Sequence, residues 1–118
     1  MMKKALLSIA LCGGLLGMSA MAPALTADAA TKSATGTSFT KAWSKSVNTG
    51  DGAGVLTYGY NTAWINEDFA HAYHASKTHF ASIANGNGSH VSSSVGAGKT
   101  AKVEVRHSGS TVTYTIHY

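Results

Sequence analysis

The chain has 118 residues, a net charge of +4 and a single cysteine, Cys12. A sequence of this length holds one small domain beside any targeting segment, and a second domain does not fit. The positive charge is mild and dispersed along the chain. It favours contact with anionic surfaces, but it lacks the dense basic stripe of a nucleic-acid-binding protein, and that class is excluded.

The first 29 residues have the order of a secretory signal peptide. Lys3 and Lys4 precede an apolar run, and small residues surround Ala27-Asp28-Ala29. This order predicts export and cleavage after Ala29. A cut after Ala22, an uncleaved anchor and a lipidated Cys12 are the alternatives. Cleavage after Ala29 leaves 118 − 29 = 89 residues with seven basic and four acidic side chains, a net charge of +3 and no cysteine. We therefore expect a secreted protein without a disulfide.

Residues 30–53 are rich in Thr, Ser, Ala and Gly and contain few large apolar side chains. This composition predicts a flexible leader. Phe39 and Trp43 are four residues apart, so a short helical turn over residues 38–47 is the alternative. The turn-forming residues of segment 48–52 then mark the boundary of the folded domain, which we assign to residues 54–118.

Short segments of strand character follow this boundary. We predict strands at Val55–Tyr60, Thr78–Ala84 and Val91–Val95, from their β-branched and aromatic content and their alternation. Asn85-Gly86-Asn87-Gly88 predicts a tight hairpin turn. In residues 61–69 the apolar side chains follow neither the period of a helix nor that of a strand. We predict that this segment is a loop that carries Trp64 as an aromatic anchor.

The clearest alternation lies in Ala101–His107 and Thr111–Tyr118, which we predict to pair as a hairpin with one apolar face. That face needs a second layer to cover it. The sequence therefore predicts an all-β fold, a small antiparallel β-sandwich of five to six short strands. The exposed edges of such sheets leave pairing of two chains into a homodimer open.

Three histidines, His71, His74 and His79, lie close together in the sequence and raise the question of a metal site. Their spacing is not specific, because residues three apart point to opposite faces of a strand. A third ligand would have to come from Asp68, His90 or His107 by tertiary folding. We therefore predict histidines bonded to backbone or water, with no metal and no cofactor.

The composition also argues against catalysis. The mature chain has no cysteine nucleophile, and its adjacent carboxylates, Glu67 and Asp68, cannot face each other across a substrate bond. Serines are abundant, and nothing in the sequence singles one out as a nucleophile. We expect a protein that is not an enzyme.

Recognition of an anionic ligand is the remaining interpretation of the histidine segment. Lys77 is flanked by hydroxyl and imidazole groups that donate hydrogen bonds to phosphate oxygens, and an aromatic ring lies beside them. The predicted ligand-binding residues are Tyr73, His74, Ser76, Lys77, Thr78 and His79.

Residues 73–85, Tyr-His-Ala-Ser-Lys-Thr-His-Phe-Ala-Ser-Ile-Ala-Asn, resemble the central motif of the lactococcin 972 family of bacteriocins. The likeness extends over residues 54–118 and includes Tyr58-Gly59, Ala97-Gly98-Lys99 and the aromatic C-terminus. The chain departs from the family in having Val55-Leu56 and Lys99-Thr100 where the family tends to place tryptophans, and in its longer leader.

This resemblance implies an exported, non-catalytic antibacterial protein with a β-sandwich fold, often dimeric. It implies binding of the cell-wall precursor lipid II and a block of septum formation. A membrane immunity protein and a transporter in the producing cell would be further partners. The alternatives are a structural or adhesive surface protein that only self-associates and a histidine-based metal-binding module.

Overall fold

The computed structural model describes residues 30–118, in which every regular element is a β-strand. The predicted signal peptide, residues 1–29, lies outside the described residues. None of the elements in the described part is a helix of the length and apolarity needed to cross a membrane. The strands are β1 (Thr31–Gly36), β2 (Trp43–Asn48), β3 (Gly54–Asn61), β4 (Glu67–His74), β5 (Phe80–Asn85), β6 (Gly88–Val91), β7 (Thr100–Arg106) and β8 (Val112–His117).

These strands form two antiparallel sheets. Sheet A has the strand order β1-β8-β5-β6, and sheet B has the order β2-β3-β4-β7. Contacts join β1 to β2, β8 to β3, β5 to β4 and β6 to β7, so the two sheets pack face to face. The predicted all-β antiparallel sandwich is confirmed, although the described residues contain eight strands rather than five to six.

The core lies between the sheets and follows from strict alternation along the central strands. In β8, Val112, Tyr114 and Ile116 are fully buried, while the threonines between them are only partly covered. In β3, Leu56 and Tyr58 face them from sheet B. Ile83, Val103 and four alanines form the buried surface of β4, β5 and β7. Because alanine side chains are small, the two sheets pack closely there. These alanines are Ala70, Ala72, Ala81 and Ala101.

The prediction of a flexible leader over residues 30–53 is corrected by two strands in this segment, β1 and β2. The alternative of a helical turn over residues 38–47 is corrected too, since β2 begins at Trp43. The ring of Trp43 packs against Gly36, Tyr58 and Tyr114, and its Nε1–H donates to the Ser38 carbonyl at 2.6 Å. Both strands lie at the edges of their sheets and consist largely of polar residues. Their composition therefore resembles that of a linker.

The predicted pairing of the last two strands is wrong. β7 pairs with β4 in sheet B, and β8 lies between β1 and β5 in sheet A. The chain leaves sheet B beyond His107, whose N–H donates to the Asn66 carbonyl at 2.8 Å. The Ser108 carbonyl then accepts from the Gly86 N–H at 2.9 Å, beside Gly109 at φ +88°. An alternating pattern shows that a segment is a strand, but it does not show which strand is its neighbour.

Two further local predictions have different outcomes. The Asn-Gly turn is confirmed, because Asn85 pairs with Gly88, whose φ of +108° favours glycine. The loop predicted over residues 61–69 is shorter, because β4 already begins at Glu67. Trp64 does not anchor this loop, since its side chain is 91% exposed.

The outer face of sheet A carries hydroxyl groups and one unusual histidine. Ser33 and Thr115 bond across β1 and β8 at 2.8 Å. His117 stacks on Phe80 with 4.2 Å between ring centroids, and its Nε2 lies 2.8 Å from Ser82 Oγ. Burial lowers the pKa of His117 from its ordinary 6.5 to about 4, because desolvation disfavours the charged ring.

We predict that Gly36→Ala destabilises the protein by about 1–3 kcal/mol, the usual cost of overpacking. A Cβ at this position would lie 2.7 Å from the Trp43 ring, which is held by two tyrosines. Urea denaturation measures the effect. Gly96→Ala is the matched control, because a Cβ there meets nothing within 4 Å. Equal stability of both variants would mean that β1 is not packed on the domain.

A second prediction concerns pH. The unfolded chain protonates His117 near pH 6.5, whereas the folded ring stays neutral to about pH 4, so the unfolded state binds more protons between these values. The stabilisation is complete above about pH 6.5 and is lost as the pH falls towards about 4. His117→Phe keeps the stack on Phe80 without the titration. Between pH 7 and pH 5 we expect the wild type to lose on the order of 1 kcal/mol more stability than this variant. Parallel pH profiles in urea denaturation would contradict it.

Candidate functional site

One end of the sandwich collects the loops of residues 49–53, 75–79 and 92–99 together with Tyr118, and we call it the Lys77 end. Backbone hydrogen bonds join these loops. The Ala75 N–H donates to the Ala53 carbonyl at 2.9 Å, and the Gly98 N–H donates to the His74 carbonyl at 2.8 Å. These bonds fix the loops against one another, as a preformed binding surface requires.

His74 holds the turn before Lys77 from inside. Its side chain is fully buried, and its Nδ1 accepts the N–H groups of Ser76 at 3.2 Å and Lys77 at 3.0 Å. A ring nitrogen that accepts carries no proton, so Nε2 carries it and donates to Asp51 Oδ2 at 2.8 Å. The contact with Asp51 is therefore a hydrogen bond from a neutral ring rather than an ion pair.

Asp51 is a fixed carboxylate of the Lys77 end. The Thr49 hydroxyl and the Ala53 N–H donate to its Oδ1, and His74 donates to its Oδ2. The bond from the Thr49 hydroxyl is the largest of the effects that hold the pKa of Asp51 far below its usual range, followed by the Ala53 N–H and then His74. Asp51 is thus ionised at neutral pH, and both of its oxygens are engaged in holding the loop.

His79 joins the two lysine-bearing loops through their backbones. Its ring is 1% exposed, Nδ1 lies 2.7 Å from the Lys77 carbonyl oxygen, and Nε2 lies 2.7 Å from the Lys99 carbonyl oxygen. Carbonyl oxygens only accept, so the ring is the donor in these contacts. Lys77 and Lys99 are exposed on either side of this bridge.

Tyr118 closes the Lys77 end from the last strand. Its ring stacks on His74 with 5.2 Å between centroids, and its hydroxyl accepts the Gly50 N–H at 3.2 Å. The Lys77 ammonium lies 5.6 Å from the centre of the same ring. A cation over an aromatic face is attracted to it, so Tyr118 restrains Lys77 while leaving it exposed.

The predicted binding residues separate into two groups. Ser76, Lys77 and Thr78 are exposed on the turn, where a ligand can reach them. The prediction that His74 and His79 contact a ligand is corrected by their burial and by the bonds at every ring nitrogen. They position the loops instead.

Tyr73 occupies a different surface from the rest of the predicted set. It precedes His74 in β4 and therefore points to the outer face of sheet B, where it pairs in register with Val55 and Thr100. Its side chain is 37% exposed. Tyr73 thus adds an aromatic surface at the side of the Lys77 end rather than within it.

The histidines predicted as alternative metal ligands do not converge on one point: the rings of His74 and His79 lie 6.2 Å apart between centroids, with their nitrogens bonded to other groups. His71 points away from His74, and its Nε2 lies 2.9 Å from Glu104 Oε2 on the outer face of sheet B. Exposed pairs of this kind contribute less than about 1 kcal/mol to stability. Within residues 30–118, no three His, Cys, Asp or Glu side chains are grouped as ligands of a metal ion.

Histidines bonded to a hydroxyl or to a carboxylate, as in catalytic sites, occur here, but the hydroxyl and the carboxylates bond to different histidines. Ser82 bonds to His117 on the outer face of sheet A. His107 Nδ1 donates to Oδ1 of the fully buried Asp68 at 2.8 Å, at the end of the sandwich opposite the Lys77 end. Because the hydroxyl and the carboxylate use different histidines, they do not form a Ser-His-Asp triad.

Three contributors to the Lys77 end are missing from the sequence prediction, namely Asp51, Lys99 and Tyr118. Asp51 lies in a segment interpreted as a domain boundary, and the other two follow strand and turn patterns that carry no chemical signal. Asp51, Lys99 and Tyr118 are separated from His74 by 23, 25 and 44 positions along the chain, and only the pairing of the strands brings them close to it. The one hint in the sequence is the position of Lys99 directly after the glycine-rich turn Gly96-Ala97-Gly98.

Comparisons with protein-family models, curated proteins and solved structures find no match to this chain. The chemistry of the Lys77 end is therefore the main support for a function.

We predict that Asp51→Asn destabilises the protein at neutral pH and that this difference narrows in acid. The folded pKa of Asp51 is depressed, so the unfolded state binds more protons below its ordinary pKa of 3.8. The stabilisation is complete above about pH 4 and is lost as the pH falls further. Urea denaturation between pH 7 and pH 2 tests this, with Glu104→Gln as a control for an exposed carboxylate. A destabilisation of Asp51→Asn that does not change with pH would contradict it.

Proposed function

We propose that this protein is a secreted, non-catalytic, bacteriocin-like protein that binds a diphosphate-bearing envelope precursor of the lipid II type at the Lys77 end. One observation carries the proposal. His79 bonds to the backbone carbonyls of both Lys77 and Lys99, so two exposed lysines lie on adjacent loops that are joined to each other. Two cations on adjacent loops suit a diphosphate better than a single charge does.

These loops carry two exposed cations and one ionised carboxylate, whose oxygens are already engaged in hydrogen bonds. Lys77 and Lys99 are exposed, whereas the nearby Asp51 is engaged by three donors. The hydroxyl groups of Ser76 and Thr78 flank Lys77 and add neutral donors for phosphate oxygens. This arrangement favours an anionic, oxygen-rich ligand over a neutral one.

Preorganisation supports binding rather than catalysis. The turn of residues 75–78 is held by His74, Lys77 is restrained by the Tyr118 ring, and the loops share backbone bonds. Little conformational entropy is then lost when a ligand binds. The exposed ring of Tyr73, at the side of the Lys77 end, is suited to contact a sugar or the prenyl chain of such a precursor.

The resemblance of residues 73–85 to the lactococcin 972 motif and the secretory pattern of residues 1–29 agree with this proposal. In it, the protein leaves the producing cell, binds lipid II of a related bacterium and blocks septum formation. In the producing cell, a membrane immunity protein would protect against the bacteriocin, and a transporter would be a further partner. Both partners belong to the proposal.

The test is co-sedimentation of the purified protein with phosphatidylcholine vesicles that contain lipid II. Vesicles with phosphatidylglycerol at equal charge and plain phosphatidylcholine vesicles serve as comparisons. We predict that Lys77→Gln and Lys99→Gln each weaken lipid II binding about tenfold, the usual effect of losing one charge-assisted hydrogen bond. Lys41→Gln is the matched control, because Lys41 is exposed in the loop between β1 and β2 at the opposite end.

Growth inhibition supplies the second measurement. The protein should inhibit a Gram-positive strain in a broad panel, and added lipid II should relieve that inhibition. Absence of both lipid II binding and inhibition would refute the proposal. Equal binding to lipid II and phosphatidylglycerol vesicles would refute a precursor site, because it would indicate only general attraction to negative charge.

A further inference from the structure

The loop between β3 and β4, residues 62–66, presents an almost completely exposed aromatic ring. Trp64 at the centre of this loop is 91% exposed. Within residues 30–118, every other Trp, Phe or Tyr ring except that of Tyr73 packs against an aromatic or imidazole ring. A single exposed apolar side chain is normal on a protein surface. The support and the surroundings of Trp64 therefore decide whether it forms a site.

The backbone on both sides of Trp64 is held by hydrogen bonds. Before the ring, Asn61 Oδ1 accepts the Ala63 N–H at 3.2 Å. After it, the Asn66 carbonyl accepts the His107 N–H at 2.8 Å. The indole is thus presented on a restrained loop, and a restrained loop loses less conformational entropy when a ligand binds.

A buried carboxylate joins this loop to two others. The fully buried Asp68 accepts a hydrogen bond from His107 Nδ1 at 2.8 Å and another from Asn85 Nδ2 at 3.0 Å. The Gly86 N–H donates to the Ser108 carbonyl at 2.9 Å. These bonds place the turn after β5 and the connection after β7 beside the loop of Trp64. We call the three loops, residues 62–66, 85–88 and 107–111, the Trp64 end.

The side chains of the Trp64 end are polar and almost all neutral. Its three loops contain no Lys, Arg, Asp or Glu, and His107 is their only titratable residue. Amide and hydroxyl groups, which both donate and accept hydrogen bonds, take the place of charges. Those on exposed residues belong to Thr62, Asn66, Asn87, Ser110 and Thr111. This composition disfavours a phosphate group or an anionic lipid surface, because both are bound through cations.

A sugar ring has the chemistry that complements these loops. A pyranose presents a face of C–H groups, which packs on a flat indole, and a rim of hydroxyl groups, which donate and accept hydrogen bonds. The acetamido group of an N-acetylated hexosamine offers one N–H and one C=O, the pair that an Asn amide complements. A membrane interface is instead bound by several apolar side chains beside cations. A protein partner requires a larger apolar patch with fewer serines.

We infer that the Trp64 end binds a neutral saccharide chain with N-acetylhexosamine units, one of which stacks on the indole of Trp64. The strands β3 and β4 pair from Gly54 and His74 beside the Lys77 end to Asn61 and Glu67 beside the Trp64 end. The eight residues of β4 separate these ends by about 26 Å. The saccharide site is therefore separate from the proposed precursor site and does not depend on it.

Titration of the purified, ¹⁵N-labelled protein with tri-N-acetylchitotriose, followed by NMR, tests the location of the site. The chain has two tryptophans, so two indole N–H signals are expected. The signal that is absent from the Trp64→Ala variant belongs to Trp64. We expect this signal and the backbone amide signal of Asn66 to shift as the trisaccharide is added.

Isothermal titration calorimetry measures the contribution of the ring. Trp64→Ala should weaken binding of the trisaccharide about tenfold or more, as expected when a central aromatic contact is removed. Trp64→Phe keeps a smaller ring and should weaken binding less. Val91→Ala is the matched control, because it shortens an exposed apolar side chain outside the three loops and should leave binding unchanged. Circular dichroism monitors the fold of every variant.

A wild type that does not bind the trisaccharide would overturn the inference, as would binding that Trp64→Ala leaves unchanged. Co-sedimentation with plain phosphatidylcholine vesicles that depends on Trp64, without trisaccharide binding, would identify a membrane-inserting loop instead. Trp64→Ala should still co-sediment with lipid II vesicles as the wild type does. A loss there would assign the ring to the precursor site and overturn a separate saccharide site. Because the titration contains no lipid, it gives its answer whether or not the protein binds lipid II.

Discussion

The sandwich depends on the packing of Tyr114 against Trp43 and Tyr58 between the two sheets. Tyr114 is at the centre of β8, its ring lies 5.1 Å from Tyr58 and 6.0 Å from Trp43, and the side chain is fully buried. These contacts join the strand at the end of the chain to β2 and β3 in the other sheet. They also explain why β1 carries Gly36 under the Trp43 ring, where no side chain would fit.

The position of β8 determines the Lys77 end as well. Because β8 is held between β1 and β5, Tyr118 emerges beside His74, and its ring faces both that imidazole and the Lys77 ammonium. The two buried histidines then hold the loops by hydrogen bonds to backbone groups rather than to a ligand. Burying a polar ring is costly unless its nitrogens are bonded, and here these bonds also fix the loops.

Charge placement distinguishes the surfaces of the molecule. The inward-facing lysines of β1 and β2 protect one side of the sandwich from added strands, whereas β7 carries alternating charges only on its outer face. Lys77 and Lys99 lie apart from both edges, on loops. The chain thus places the two lysines of the edge strands and the two exposed lysines of the Lys77 end on different parts of the surface.

The sequence by itself determined the β class, the strands at β3, β5, β7 and β8, the Asn85–Gly88 turn and the exposed group around Lys77. These features follow from local rules, since the two-residue period, turn residues and charged side chains act over a few positions. Tertiary structure alone decided that β7 and β8 lie in different sheets, that residues 31–48 form edge strands, and that His74 and His79 are buried. It also brought Asp51, Lys99 and Tyr118 together. Strand pairing joins segments far apart in the chain, and a polar strand at a sheet edge looks like a linker until its partner is known.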